Sequence, residues 1–180
     1  MREIVAAYQR SIVPFGGLNL IPGDWLHITL QGVGYVDMTS DSYINDVIAG
    51  VSRRVSTLPP LEISFIRPYV LEEAVVIAPE PATVLHELLV RVRSGMNDSV
   101  GEVDTSPEQR KGFRPHMSIA YFNSPGQASP YIKALGKVRA DPVSVRVDDL
   151  ELIVQDRVLD PEWVYKWTTH TSVQLGSAVK

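Results

Sequence analysis

Leu26-His27-Ile28-Thr29-Leu30 is a short apolar run broken by one histidine and one hydroxyl residue, and the chain repeats the design as Pro115-His116-Met117-Ser118-Ile119. Apolar runs of this length with one polar pair read as buried strands, here over 25–31 and 115–122. Side chains alternate faces along a strand, so His27 shares a face with Thr29, and His116 with Ser118. A buried strand is better served by Val or Ile at those positions. A lone strand histidine is more often a core residue satisfied by a carbonyl, but two histidines in matching settings ask for another reason.

Outward from these stretches, Ile4, Val5, Tyr8 and Ile12 have helical spacing over 3–13, stopped before Pro14. Pro22-Gly23-Asp24 turns the chain into the first His strand, which Tyr35 and Val36 extend past a bulge at Gly32 and Gly34. N-caps among Thr39-Ser40-Asp41-Ser42 open a second helix, marked by Ile44, Val47, Ile48, Val51, Val55 and Leu58 and ended by Pro59-Pro60. Strands follow over 61–67 and 74–78. Pro81 suits the first position of a third helix with the stripe Val84, Leu85, Leu88, Leu89 and Val92, closing at Arg91, Arg93 and Gly95. Residues 96–113 are polar and predict a mobile loop. After the second His strand come a helix over 129–138 and two long strands, 143–155 and 163–175.

The order helix, His strand, helix, strand, strand occurs twice. Pro59-Pro60-Leu61-Glu62-Ile63-Ser64-Phe65 even matches Asp141-Pro142-Val143-Ser144-Val145-Arg146-Val147 in style. The expected fold is therefore α+β: one domain of two repeats, about 1–80 and 81–180. They form two pseudo-symmetric lobes of antiparallel sheet, with helices outside and a cleft between. A pseudo-two-fold axis would set the two histidines on opposite walls of that cleft.

Composition narrows the function. The 180 residues are 44 % apolar and 21 % charged, ordinary for one globular domain. With 17 basic and 21 acidic side chains the formal net charge is −4, a poor footprint for long duplex nucleic acid. A small local anion site remains open. There is no cysteine, which suits a reducing cytoplasm and leaves neither disulfides nor thiolate chemistry. No apolar run approaches the ~18 residues of a membrane helix. The charged start Met1-Arg2-Glu3-Ile4 has no signal-peptide core, so the Asn97-Asp98-Ser99 sequon is read as chance and the protein as cytoplasmic and monomeric. Four histidines, no cysteine and no clustered carboxylates predict no metal and no cofactor. His86-Glu87-Leu88-Leu89-Val90 lacks the second histidine of a zinc-protease helix.

The paired tripeptides His27-Ile28-Thr29 and His116-Met117-Ser118, in the settings Trp25-Leu26-His27-Ile28-Thr29-Leu30-Gln31-Gly32 and Phe113-Arg114-Pro115-His116-Met117-Ser118-Ile119-Ala120-Tyr121, resemble the 2H phosphoesterases, in particular their 2′-5′ RNA ligase-like branch. The resemblance spans nearly the whole chain. It departs at the start, where the family has a strand before the first helix and this chain begins at the helix. It implies a metal-independent phosphodiesterase acting on 2′,3′-cyclic phosphates or 2′-5′ linkages, with a small nucleotide or RNA 3′ end as partner. The residues suit that chemistry. Opening a cyclic phosphodiester needs a base for water and an acid for the leaving ribose oxygen, and histidine, with an ordinary pKa near ~6.5, serves both roles. His27 and His116 would divide that work, and Thr29 and Ser118 would hold the non-bridging phosphate oxygens. Gln31 and Arg114 share the histidines' faces, and Trp25 could stack a base or cap the core, so all three are candidate substrate contacts. Tyr121, by strict alternation, falls on the opposite face and reads as core, as do Trp163, Tyr165 and Trp167. Two rival readings are RNA ligation, the reverse reaction, and a nucleotide- or RNA-end-binding module without turnover.

Overall fold

The computed structural model describes residues 1–101 and 112–176. The chain begins with helix α1 (Arg2–Ile12), whose Ile4, Val5, Tyr8 and Ile12 form one buried stripe, and continues through a 3-10 turn into strand β1 (Leu18–Leu20). Helix α2 (Asp41–Val55) is opened by Ser40, whose hydroxyl accepts the Tyr43 N–H at 3.2 Å, and carries Arg53 and Arg54 in its last turn, where the helix dipole favours cations. Strands β2 (Leu61–Val70) and β3 (Ala74–Glu80) lead to helix α3 (Ala82–Val100), with Pro81 as its N-cap. Strand β4 (Met117–Phe122), helix α4 (Ser129–Leu135) and strands β5 (Val143–Val147), β6 (Asp149–Val158) and β7 (Val164–Gln174) complete the chain.

The strands form two antiparallel sheets, one of order β1-β4-β3-β2-β5 and one of β6-β7. The central strand β3 is the near-continuous apolar run Ala74-Val75-Val76-Ile77, as burial on both faces requires. One core joins α1, α2 and α3 to β2, β3, β4 and the end of β7. The similar segments 61–65 and 143–147 lie side by side, Ile63 opposite Val145. The larger sheet combines β2 and β3 with the strand after His116, whereas β7 lies against His27.

Several expected elements differ. Residues 25–31 are not a ladder strand: Gly23–Trp25 is a 3-10 turn, and the extended chain after it has no assigned strand partner. Alternation survives without the ladder, because Leu26, Ile28 and Leu30 pack on the core. Tyr35 and Val36 do not extend a strand, since Val36–Met38 is a 3-10 turn with Tyr35, Val36 and Met38 exposed. The expected strand 143–155 is two strands in different sheets, parted at Asp148. Helix α4 stops at Leu135.

Helix α3 does not stop at Gly95. It continues to Val100 and is closed by Gly101, which takes the left-handed φ of 80°. Gly95 instead lets the backbone of α2 approach at Gly50. Of the loop expected over 96–113, residues 96–100 are helical and 102–111 lie outside the described residues.

Candidate active site

Both histidines are held by the same local device. The Nδ1–H of His27 donates to the carbonyl oxygen of Trp25 at 2.9 Å, and the Nδ1–H of His116 to that of Arg114 at 2.7 Å. A carbonyl only accepts, so this bond assigns the proton to Nδ1 and leaves Nε2 as the acceptor of the neutral ring. Each imidazole is thus aimed by the backbone two residues before it. His116 sits just ahead of β4 and is exposed, and His27 is half-buried.

The hydroxyls differ more. Ser118 is one of few buried polar residues, at 8 % exposure, while Thr29 is exposed. Gln31 accepts from Arg93 Nε of α3 at 2.7 Å and donates to the Gly32 carbonyl at 2.9 Å, tying the His27 segment to that helix. The Arg114 side chain is exposed. Trp25 meets Trp167 edge to face at 5.0 Å between centroids, so its ring packs on β7. His86 packs against Phe113 instead. Among the described residues, no three His, Asp or Glu side chains gather as a metal-holding group.

Three of the aromatic residues read as core, Tyr121, Tyr165 and Trp167, instead gather beside His27. The His27 ring lies edge to face with Trp167 at 4.9 Å and with Tyr165 at 6.3 Å. Tyr165 in turn meets Tyr121 at 5.7 Å. Tyr121 is on this side because of a bulge. Ala120 pairs with Val75 and Ser118 with Val76, so Ile119 is an extra residue in β4 and the alternation shifts by one. Tyr121, three residues past Ser118, is returned to the same face. Ring contacts therefore run from His27 through Tyr165 to Tyr121, which lies in the same strand as Ser118.

Burial pushes the Tyr121 phenol above the ordinary tyrosine range, and Tyr165 adds to the rise. A hydrogen bond with the Ser118 side chain and the charge of Arg157 oppose it. The folded chain thus holds this proton more tightly than the unfolded chain does. Stability is complete below the unfolded value of about 10 and is lost as pH rises through the folded value. Tyr8, also raised by burial, acts in the same sense. Tyr121→Phe will therefore lose less stability than the parent between about pH 8 and about pH 11. Urea unfolding at both pH values checks this, and an unchanged alkaline loss would contradict it.

A family model described as the 2′-5′ RNA ligase superfamily matches residues 5–159, and the chain belongs to that family. Solved structures agree in fold. TT0787 of Thermus thermophilus superposes with a TM-score of 0.72 at 19 % identity, covering 99 % of this chain and 93 % of its own. E. coli LigT in its apo form gives 0.67 at 16 % identity, covering 98 % and 91 %. A structure described as a phosphoesterase gives 0.64 at 17 % identity, covering 98 % and 94 %. No curated protein matches the chain in sequence. The chain is thus an α+β protein of the 2H phosphoesterase class.

Proposed function

We propose that this protein opens a 2′,3′-cyclic phosphate, or a 2′-5′ linkage, at a nucleotide or RNA end by paired-histidine general acid–base catalysis without a metal. The observation that supports the reading is the matched anchoring of the two imidazoles, which keeps Nε2 of each out of the backbone bond and able to exchange a proton with substrate. One Nε2 takes a proton from water as its oxygen bonds to phosphorus. The other, protonated, gives its proton to the leaving ribose oxygen as the ring P–O bond breaks. The products are a phosphomonoester and a free hydroxyl, and the two rings have exchanged protonation states. The hydroxyls of Thr29 and Ser118 donate to the non-bridging oxygens, where charge accumulates.

The repeats of about 1–80 and 81–180 act as one unit, because His27 comes from the first and the Tyr165 and Trp167 beside it from the second. E. coli LigT has been crystallised with 3′-AMP, with ATP and with phosphate, which supports a small nucleotide as substrate class here. A cysteine-free chain suits work in a reducing cytoplasm.

The test is hydrolysis of the four 2′,3′-cyclic nucleotides in excess EDTA. Turnover to a monophosphate at an undiminished rate is the expected result. Failure on all four, with 2′-AMP or 3′-AMP still bound, would replace this reading with a binding module. Ligation of RNA ends without hydrolysis would assign the reverse reaction.

A further inference from the structure

Arg157 occupies a position that the acid–base chemistry does not use. The β6-β7 register sets it directly opposite Tyr165, and cross-strand partners share a face. That is the face on which Tyr165 meets the His27 ring and Tyr121. Its guanidinium lies 5.7 Å from the ring centres of both Trp163 and Tyr165. These rings attract the cation and hold its direction without neutralising it. Arg157 is exposed and has no carboxylate partner among the described residues. In a chain of net charge −4, this is a directed positive charge one aromatic ring away from a site histidine.

We propose that Arg157 is a specificity-determining residue that binds a second phosphate of the substrate, selecting nucleotides that continue past the reacting end over isolated cyclic mononucleotides. The inference rests on the reaction proposed above. A planar guanidinium offers a fork of N–H donors that fits two phosphate oxygens, whereas a lysine in its place would be a point charge. Tyr165 separates it from the histidine, so its charge falls on a neighbouring phosphate of the chain and not on the one between the imidazoles. An RNA end, or a nucleoside with a 5′-phosphate, supplies that second anion.

The experiment compares adenosine 2′-monophosphate with adenosine 2′,5′-bisphosphate by calorimetry, for the parent, Arg157→Ala and Arg157→Lys. The parent should bind the bisphosphate about tenfold more tightly, the scale of one charge-assisted contact. Arg157→Ala should abolish that advantage and leave monophosphate affinity unchanged, and Arg157→Lys should restore only part of it. Equal parental affinity for both ligands, or an equal loss on both in Arg157→Ala, would overturn the proposal. In parallel, kcat and KM are measured on a 2′,3′-cyclic mononucleotide and on a dinucleotide ending in a 2′,3′-cyclic phosphate. No turnover of either by the parent refutes the phosphodiesterase reading, whereas turnover of both with an Arg157→Ala effect that ignores chain length refutes only the role of Arg157.

Discussion

Replacing either His27 or His116 with alanine will lower turnover of a 2′,3′-cyclic nucleotide by about 10²–10⁴-fold, the usual contribution of one general acid or base. Removing both will cost little more than removing the worse one, because the two act on one proton-transfer sequence. Neither loss will come from unfolding. His116 is exposed, and surface changes of that kind stay within about 0.5 kcal/mol. His27 gives up its edge contacts to Trp167 and Tyr165, worth about 1 kcal/mol, well short of unfolding a domain.

The two variants will part on a substrate whose leaving group departs without a proton, such as a nitrophenyl ester of a nucleotide. The variant lacking the acid will recover most of its rate there, and the variant lacking the base will not. This assigns roles that the matched Nδ1–carbonyl bonds leave equivalent. Full activity in His116→Ala or His27→Ala, measured as initial rate at saturating substrate, would remove that residue from the chemistry.

The two histidine motifs and most of the helices are legible in the residues because they rest on local periodicity. Ile4, Val5, Tyr8 and Ile12 mark α1 by spacing alone. Features that depend on two segments meeting are hidden. Gly95 resembles a helix terminus because a glycine after Arg91 and Arg93 fits a C-cap, and only the closeness of Gly50 explains why the helix runs through it. Parity counting sets Tyr121 on the wrong face because it assumes a regular ladder, and the bulge at Ile119 is visible only in the pairing of β4 with β3. The bulge at His170 in β7 is equally silent in sequence: Leu152 pairs with Thr171 and Ile153 with Thr169. It explains why Val164 and Val173, of opposite parity, are both buried, while Tyr165 and Trp167 turn to His27. Periodicity therefore reaches the motif residues and misses the aromatic wall between them.

Gly95→Leu will be among the most destabilising single changes in the chain, lowering stability by about 3 kcal/mol. A Cβ at Gly95 would lie 2.6 Å from the Gly50 carbonyl oxygen and 2.7 Å from the Cα of Val51, and one at Gly50 would lie 2.1 Å from the Gly95 carbonyl oxygen. These neighbours are backbone, so no rotamer change relieves the clash and the helices must separate. Removing a glycine from a helix interior gains up to about 1 kcal/mol in propensity, which the clash outweighs. Separation also pulls Val51 and Val55 of α2 away from Leu88, Val92 and Met96 of α3, and strains the Arg54–Asp98 ion pair at 2.5 Å. For a chain of this length the loss corresponds to a fall in Tm of about 6–12 °C. Gly126→Ala, with open space around it, serves as the control and should stay within about 0.5 kcal/mol. Because Arg93 of α3 holds Gln31, four residues past His27, a shifted α3 will also disturb the His27 segment. Turnover of Gly95→Ala, the milder change, should therefore fall at temperatures where the variant is still folded by circular dichroism. A Gly50→Ala/Gly95→Ala double variant should cost less than its two parts combined, since the first substitution has already parted the helices. Full additivity, or an unchanged Tm in Gly95→Leu, would mean that α2 and α3 do not meet at these glycines.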